Sequence, residues 1–494
     1  MEVLFFLSSG LFLGWSLGAN DAANVFGTAV GTRMVRFRTA ALICSIFLVL
    51  GATISGAGAA HTLGSLGSVN AIAGSFMVAL SAAATVYWMT RLRLPVSTSQ
   101  AVVGAIIGWN LYSHSITDSR ALLKILGTWV LCPVLAGIVA IVLFLTIRML
   151  LRRFQLHLLR MDFLTRAGLL VVGAFGSYSL GANNIANVMG VFVPVSPFHD
   201  INLFGIVTFS GIQQLFLLGA LAIAVGVFTY SHKVMATVGT GLFKMSPVAA
   251  LVVVLSQSII LFIFASEGLE GFLASHGLPT IPLVPVSSSQ AVVGAVIGVS
   301  LIKSRGRGVR YRVLGEISIG WVTTPLIALV ISFISLFFLN NVFDQEVSKK
   351  TEHKISQKVI IKLSEEGITD ENLESFNDKI YENPITLDND LKFETKLDPP
   401  ARRKTIKMAE IVNYYIDPAQ VKMHLDPEWF DQDQISAVAA LSGKKFEYQW
   451  EFVEELAKLA ITWQLKEETT ANKLFNKDLK NKQKHLDRLF RVVE

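Results

Sequence analysis

Two polar stretches of matching pattern interrupt apolar sequence, and their side chains are suited to binding an anion. Each follows a Pro-Val pair and precedes an apolar run, which is typical of the start of a helix. A helix start leaves free backbone N–H groups and the positive end of the helix dipole. Two such starts, with their hydroxyls and amides, would form a neutral anion site. The candidate substrate-binding residues are Ser97, Thr98, Ser99, Gln100, Ser287, Ser288, Ser289 and Gln290.

A second duplicated motif supplies oxygen atoms that could bind a cation. Residues 18–27 read GANDAANVFG, and residues 181–190 read GANNIANVMG. Asn20, Asp21 and Asn24 lie at the end of an apolar span, where Gly18 permits a break in the backbone. An acid at such a depth is costly and indicates a functional site. No Lys or Arg lies in the duplicated motifs to pair with Asp21, so a small cation or a proton is the expected partner.

The two sites would depend on each other. An unshielded Asp21 would repel an anion, and a bound Na⁺ or H⁺ would remove that repulsion. Binding of the anion and binding of the cation should therefore favour each other, which is the thermodynamic basis of symport. The alternative, that the Ser and Thr hydroxyls only hold neighbouring helices together, is disfavoured because both polar motifs occur twice.

The composition divides the chain into a membrane part and a water-soluble part. Of 494 residues, 52% are hydrophobic, and the mean hydropathy is +0.52, which is typical of membrane-spanning proteins. After about residue 342 the sequence becomes rich in charge. A net charge of +6 and no basic stripe with interleaved aromatics argue against nucleic acid as a partner. Cys44 and Cys132 both lie in apolar runs, so a disulfide framework is not expected.

The apolar runs predict ten membrane spans, five in each half, at about 20 residues per span. Two further segments, 20–32 and 183–194, are expected to be broken or re-entrant. Basic residues cluster in alternate loops (33–38, 91–93, 148–160 and 303–312), which predicts that these loops are cytoplasmic and the N-terminus is outside. The predicted spans lie near 3–19, 37–58, 70–90, 98–113, 122–147, 167–182, 203–229, 247–265, 286–302 and 313–340.

The duplicated motifs recur in one order, together with WVLCP at 129–133 and WVTTP at 321–325. Five spans per copy is an odd number, so the second copy must be inserted with opposite polarity. The predicted fold is therefore an all-α integral membrane protein, an inverted-repeat secondary transporter with broken or re-entrant helices. We expect the first repeat over 1–160, the second over 161–342 and a small soluble α-helical domain over 343–494. The two Ser-rich turns should then lie close together near the midplane of the bilayer.

The motifs GANDAANVFG with GANNIANVMG, and PVSTSQ with PVSSSQ, closely resemble the inorganic phosphate transporter (PiT) family over about residues 1–340. The resemblance implies a cation-coupled importer of phosphate in which these motifs form the phosphate and cation sites. It extends the candidate cation-binding residues to the second copy, with Asp21, Asn24 and Asn187 as metal ligands. The full cation-binding set is Asn20, Asp21, Asn24, Asn183, Asn184 and Asn187.

One position departs from the family pattern. Phosphate-transporting members typically have Asp in both copies, whereas this chain has Asn184 in the second. The change should remove a cation ligand or a proton carrier. Because the family also includes sulfate permeases with altered motifs, sulfate is kept as the alternative substrate. A transporter-derived sensor that binds anion without moving it is a second alternative.

We expect a non-enzymatic protein, because no His or Lys base lies near the Ser motifs to activate a nucleophile. Na⁺ or H⁺ is the expected coupling ion, with no other cofactor. The expected partners are phosphate (or sulfate) and the lipid bilayer, with a homodimer as one candidate assembly. The expected location is the plasma (inner) membrane, crossed many times. Four other polar residues of the spans, Gln213, Gln214, Ser256 and Gln257, are interpreted as hydrogen-bonding between helices.

Overall fold

The computed structural model describes residues 2–67, 69–91, 96–154, 157–198, 201–203, 207–232, 234–235, 246–304, 311–425, 427, 429–467, 469 and 472–492. Parts of three basic loops used to predict the topology (92–93, 155–156 and 305–310) lie outside these residues, as does Pro95. The chain divides into two units. The first holds 1–113, 117–270 and 281–349, and the second holds 114–116, 271–280 and 350–494.

Helices account for most of the described chain as far as residue 341. They form because long runs of Leu, Ile, Val, Ala and Phe offer few polar alternatives to backbone hydrogen bonding within a helix. Their bounds are α1 Glu2–Gly31, α2 Phe37–Ser55, α3 Ala57–Leu66, α4 Ile72–Arg91, α5 Thr98–Tyr112, α6 Ser119–Phe154, α7 Leu158–Met189, α8 Gly211–Thr229, α9 Pro247–Ala265, α10 Glu267–Ser275, α11 Ser288–Ser304 and α12 Tyr311–Asn341.

Eight helices of the described residues, α1, α2, α4, α6, α7, α8, α9 and α12, are long and apolar enough to cross a membrane. The prediction of ten complete spans is therefore wrong for the segments near 98–113 and 286–302. There, α5 and α11 have 15 and 17 residues. At about 1.5 Å per residue they are about 23 and 26 Å long, shorter than the roughly 30 Å hydrocarbon core. Both are short because each begins only at its Ser-rich turn.

The break that Gly18 permits does not occur, and the expectation of a broken or re-entrant segment at 20–32 is wrong, since α1 continues unbroken through Gly18 to Gly31. A Cβ on Gly18 would overlap the carbonyl oxygen of Ile223 on α8, so this glycine permits close helix packing instead. Asn20, Asp21 and Asn24 accordingly project from a continuous helix. The segment 183–194 likewise begins inside α7, which runs to Met189 and is followed by a 3₁₀ turn at Gly190–Phe192.

The helices of the first unit pack in matched pairs. Helix α1 contacts α8 as α7 contacts α2, and α5 contacts α12 as α11 contacts α6. The second pairing depends on two glycines at equivalent positions of the duplicated motif. A Cβ on Gly104 would overlap the carbonyl oxygen of Pro325, and a Cβ on Gly294 would overlap that of Pro133. Each short helix therefore lies directly against the backbone of the long, proline-containing helix that follows its own twin.

The segment predicted as a span from residue 203 begins as a helix only at Gly211. Before it, β1 (Ile201–Leu203) and β2 (Val207–Phe209) form an antiparallel hairpin. Gln213 was interpreted as bonding between helices, but it caps its own helix. The Ser210 hydroxyl accepts from the backbone N–H of Gln213, and the Gln213 side-chain oxygen accepts from the backbone N–H of Ser210. This reciprocal capping box fixes the start of α8.

In the residues that the structure describes, the second unit is helical and also contains two small antiparallel sheets. These sheets were not predicted, because strands of two residues leave no recognisable pattern in the sequence. Its sheets pair β3 (His353–Lys354) with β4 (Ile380–Tyr381), and β5 (Tyr414–Tyr415) with β6 (Lys445–Phe446). Buried apolar side chains of this unit form two clusters, one that includes Trp463 and Phe430 and one that includes Phe376 and Leu363. Its helices are α13 Gln357–Glu365, α14 Pro384–Glu394, α15 Pro399–Met408, α16 Pro418–His424, α17 Gln432–Ala440, α18 Gln449–Leu459 and α19 Lys473–Phe490.

Candidate ion-binding site between the two motif copies

Both Ser-rich turns are helix starts capped by their first serine. The Ser97 hydroxyl accepts from the backbone N–H of Gln100, and the Ser287 hydroxyl accepts from that of Gln290, each at 3.4 Å. The turns also contact each other directly, since the Ser99 hydroxyl donates to the carbonyl oxygen of Val286 at 3.3 Å. The structure thus brings two helix N-termini together, as the duplication predicted, and both positive dipole ends lie in one region.

Asp21 lies at this junction and is only 4% exposed. Its Oδ2 accepts from the Ser288 hydroxyl at 2.8 Å and from the Asn184 side-chain amide at 3.3 Å. The Asn20 amide approaches its other oxygen at 3.4 Å. All three donors are neutral, so in the described part of the chain no cationic side chain offsets the buried carboxylate. An uncompensated carboxylate at this depth requires a bound cation or a proton.

The second motif copy binds the turns through a chain of amides whose orientations are determined. The Asn183 amide donates to the carbonyl oxygen of Val286 at 2.8 Å, while its oxygen accepts from the Val286 N–H at 2.9 Å. Since backbone groups cannot exchange donor and acceptor roles, this pair fixes the Asn183 amide. Asn183 also donates to the Asn184 oxygen at 3.0 Å. The Asn184 nitrogen is therefore the group that faces Asp21.

Asn187 and Asn24, at equivalent positions in the two copies, each reach a serine of a turn. The Asn187 amide donates to the Ser99 hydroxyl at 2.8 Å and to the Asn184 oxygen at 3.1 Å. The Asn24 amide donates to the Ser288 hydroxyl at 3.3 Å. Helix α1 therefore contacts the second turn, and α7 contacts the first. Such crossed contacts assemble one site from both halves of the first unit.

Several buried polar atoms of the site lack a hydrogen-bond partner among the described residues. Buried polar groups are normally paired with protein atoms or ordered water, so unpaired atoms on both turns are candidates to contact a bound ion or water. Amide oxygens are acceptors, and with a carboxylate they form the kind of ligand set that hard cations prefer. The Thr98 hydroxyl can donate to an anion. The unpaired atoms are Thr98 Oγ1, Gln100 Oε1, Asn187 Oδ1, Gln257 Oε1 and Gln290 Oε1.

Two of the predicted site residues lie nearer the margin. Ser289 is partly exposed, and its hydroxyl bonds within its own turn, 2.9 Å from that of Ser287. Asn20 is partly exposed and lines a cavity of about 30 Å³ together with Tyr87 and Thr90. Gln257 was interpreted as bonding between helices, and its side-chain nitrogen does so by donating to the backbone carbonyl oxygen of Asn24 on α1 at 2.7 Å.

Comparisons with known proteins agree with this architecture. The "Putative phosphate permease" of Methanocaldococcus jannaschii is 28% identical over 324 residues, which cover 65% of this chain and 93% of that protein. The "Sulfate permease CysP" of Bacillus subtilis is 28% identical over 352 residues, covering 68% and 88%. A solved structure described as "The sodium-dependent phosphate transporter" has a TM-score of 0.55 and 23% identity. It covers 69% of this chain and 99% of its own, which shows a shared fold.

The family resemblance predicted from the duplicated motifs is confirmed by a family model. The model described as "Phosphate transporter family" matches residues 17–332 and 276–413. The first match includes all the candidate site residues, and it covers more than half of the chain. With its long apolar helices, this is a multi-pass integral membrane protein of a transport family. The chain belongs to the phosphate transporter family.

Proposed function

We propose that this protein is a symporter that imports inorganic phosphate across the plasma membrane together with Na⁺ or H⁺. The observation that carries the proposal is Asp21, a buried acid whose hydrogen-bond donors are all neutral and come partly from the other half of the unit. A carboxylate in that setting is a cation site. Its neighbours, the two helix starts, are an anion site.

The proposal assigns the anion to the starts of α5 and α11, with hydroxyls and amides of both turns as donors. It assigns the cation to Asp21, Asn24 and Asn187. Two like unit charges about 4 Å apart repel by on the order of 4 kcal/mol at an effective dielectric constant of about 20. A bound cation that cancels this repulsion would raise phosphate affinity by roughly a thousandfold. The two ions would therefore bind together and move together.

The matched helix contacts support an inverted repeat as the basis of transport. Equivalent helices make equivalent contacts, and the polar motifs meet where the halves join. In such folds, one repeat rocks against the other around a fixed site, so the site opens to each side in turn. The name of the solved relative, a sodium-dependent phosphate transporter, supports Na⁺ as the coupling ion.

Sulfate is the second candidate substrate, and Asn184 is the observation that favours it. The Asn184 amide is neutral and offers no acceptor dedicated to a substrate proton. Sulfate carries no proton near neutral pH, so it would not leave such an acceptor unpaired. A relative named as a sulfate permease, at 28% identity, is consistent with this candidate.

The test is uptake of labelled phosphate into proteoliposomes that contain the purified protein. A Na⁺ gradient and a pH gradient are imposed separately, and unlabelled sulfate is added as competitor. We expect accumulation driven by one cation gradient, with measurable competition by sulfate because Asn184 weakens the selection of phosphate over sulfate. Accumulation of sulfate in preference to phosphate would select the second candidate. Binding of phosphate without accumulation would identify a sensor instead.

A further inference from the structure

A cavity lined by basic side chains lies near the end of α6, beside α9 and α11. Its volume is about 400 Å³, which is within the range of sites for small molecules, about 300–1,000 Å³. Arg148 and Arg152 of α6 and Lys303 of α11 line it, and among the described residues no acidic side chain does. The cavity is therefore suited to a negatively charged group.

The cavity results from the unequal lengths of packed helices. Helix α6 contacts both α9 and α11. It runs in the same direction as α11, because Gly294 lies against Pro133 and Gly298 lies against Gly137. Helix α11 ends six residues after Gly298, whereas α6 continues for seventeen residues after Gly137. The last turns of α6 therefore extend past the end of α11, and the space beside them is the cavity.

The two arginines of the cavity have no anionic partner in the protein. Arg148 and Arg152 lie four residues apart on one face of α6, where like charges repel each other. Both are exposed, and neither makes an ion pair or a hydrogen bond in the part of the chain that the structure describes. The next acids along the chain, Asp162 and Glu316, form ion pairs within α7 and α12 instead. An external anion would relieve the repulsion.

The rest of the lining adds an apolar surface and a helix start. Phe144 and Leu151 of α6 and Val248 of α9 are partly buried and line the cavity. Helix α9 begins beside it, capped by the Ser246 hydroxyl, and a helix start carries partial positive charge. Positive charge next to apolar surface suits a ligand that has an anionic group attached to hydrocarbon.

The cavity lies at the edge of the membrane-spanning part of α6. Residues 125–147 carry no charge, and as a helix they extend about 35 Å, slightly more than the roughly 30 Å hydrocarbon core. Arg148 is the first charged residue after them, which places it at the level of the lipid headgroups. The basic stretch 148–160 predicts that this end of α6 faces the cytoplasm. Anionic lipids make that membrane surface negative.

The two arginines are absent from the second copy of the duplicated sequence. Helix α12 is the counterpart of α6, since its motif WVTTP aligns with WVLCP. In this alignment Asn340 and Asp344 replace the arginines. A cytoplasmic position accounts for basic residues in general. It does not account for their grouping with Lys303 around one cavity.

We propose that this cavity binds the phosphate group of an anionic phospholipid from the cytoplasmic leaflet, with Arg148, Arg152 and Lys303 as its cationic contacts. Guanidinium groups suit phosphate because their N–H groups donate to two oxygens at once. The apolar lining contacts the glycerol backbone and the first carbons of the chains. One lipid thereby links α6, from the first half of the duplicated sequence, to α9 and α11 from the second. The proposal does not depend on which anion or cation is transported.

The test measures the unfolding temperature of the purified full chain in detergent micelles with added phosphatidylglycerol or phosphatidylcholine, whose headgroup has no net charge. A ligand that binds only the folded state raises this temperature, so phosphatidylglycerol should raise it more at equal mole fraction. In Arg152→Gln, the mole fraction of phosphatidylglycerol for half the maximal rise should increase about fivefold, which corresponds to about 1 kcal/mol for one basic residue. Each variant is compared with its own lipid-free state, so a change in its intrinsic stability does not affect the result.

The matched control is Arg153→Gln, which removes the same charge from an adjacent exposed residue that does not line the cavity. It should change the mole fraction for half the maximal rise by less than about twofold. Arg152→Lys keeps the charge and should lose less affinity than Arg152→Gln. Native mass spectrometry supplies an independent count, and Arg148→Gln/Arg152→Gln should retain one phosphatidylglycerol fewer than the wild type.

Three results would overturn the proposal. Equal stabilisation by the two lipids would show that the cavity does not select an anionic headgroup. Equal effects of Arg152→Gln and Arg153→Gln would show only a general attraction between a basic surface and anionic lipid. Glycerol 3-phosphate, which has the phosphate but no acyl chains, distinguishes the remaining source. If it stabilises the wild type as much as the lipid does, and Arg152→Gln abolishes that effect, the cavity is a site for a free phosphate compound.

Discussion

The two copies of the Asn-rich motif are similar in sequence but differ in burial and in hydrogen bonding. The copy on α7 is fully buried, and Asn183, Asn184 and Asn187 bond to both turns and to each other. In the copy on α1, Asn20 and Asn24 are partly exposed, and Asp21 carries the charge. We infer that the α7 copy acts mainly as a scaffold through its fixed amides, although Asn187 also offers an unpaired oxygen to the proposed cation. The α1 copy supplies the acid.

The strongest way to break this comparison is Asp21→Asn, which makes the two copies alike. Without the charge there is nothing for the cation to neutralise, so phosphate binding should no longer depend on it. We expect the initial rate of gradient-driven phosphate uptake in proteoliposomes to fall by roughly two orders of magnitude, since an acid retained at this depth is functional. Size-exclusion behaviour and unfolding temperature should stay close to those of the wild type. Full gradient-driven accumulation would refute the cation assignment.

A matched pair, Asn183→Ala and Asn20→Ala, tests the scaffold role at equivalent positions. Asn183→Ala leaves the buried N–H of Val286 unpaired, and it removes one of the two donors to the Val286 carbonyl oxygen and one of the two donors to the Asn184 oxygen. It should lower the free energy of unfolding by about 1–3 kcal/mol. Asn20→Ala removes one long contact of a partly exposed residue and should change that free energy by less than about 0.5 kcal/mol. Equal losses in thermal unfolding would show that the copies share the scaffold role.

Asn184→Asp sharpens the comparison by giving both copies an acid. The Asn184 nitrogen lies 3.3 Å from Asp21, so the new carboxylate oxygen would face a like charge. Two carboxylates at that separation do not both stay ionised without a further cation or a proton between them. We expect about one more cation carried per phosphate, or a several-fold shift of preference from sulfate towards phosphate. Paired measurements of labelled anion and cation flux would show either change. If neither the number of cations per phosphate nor the preference between the two anions changes, Asn184 does not contribute to anion selection.

The smallest expected effects on uptake come from substituting Thr98 and Ser288, which occupy equivalent positions in the two turns. Ser288 bonds to Asp21 and Asn24, whereas the Thr98 hydroxyl has no partner among the described residues. Thr98→Val should raise the KM for phosphate by about five- to tenfold, as expected for one lost neutral hydrogen bond. The Na⁺ concentration for half-maximal uptake should stay the same. Ser288→Ala should raise that Na⁺ concentration, and the reverse pattern would exchange the two roles.

Much of this site could be predicted from the sequence, because its parts follow local rules. Ser97 and Ser287 were recognisable as helix caps, and Asp21 as a charge without a partner. Their convergence followed from the duplication alone. The turns do meet, through the contact of Ser99 with Val286.

Other features depend on distant contacts that no local pattern carries. A glycine such as Gly18 can mark a helix break, but here it lacks a Cβ that would overlap the carbonyl oxygen of Ile223, and so it lets α8 pack closely against α1. The spans near 98–113 and 286–302 were predicted at full length because apolar composition does not show where a helix starts relative to the membrane. Gln257 was interpreted by its ability to bond between helices, and sequence alone does not show that its oxygen stays unpaired when its nitrogen is bound.

The central claim is that a cation bound at Asp21 drives phosphate against its gradient. It is tested most directly by measuring labelled phosphate inside proteoliposomes under an inward Na⁺ gradient and, separately, an inward H⁺ gradient, before and after an ionophore dissipates each one. We expect one of the two gradients to accumulate phosphate above its outside concentration, and the excess to be lost once that gradient has gone. Phosphate that only equilibrates, and does so equally with and without either gradient, would contradict the claim.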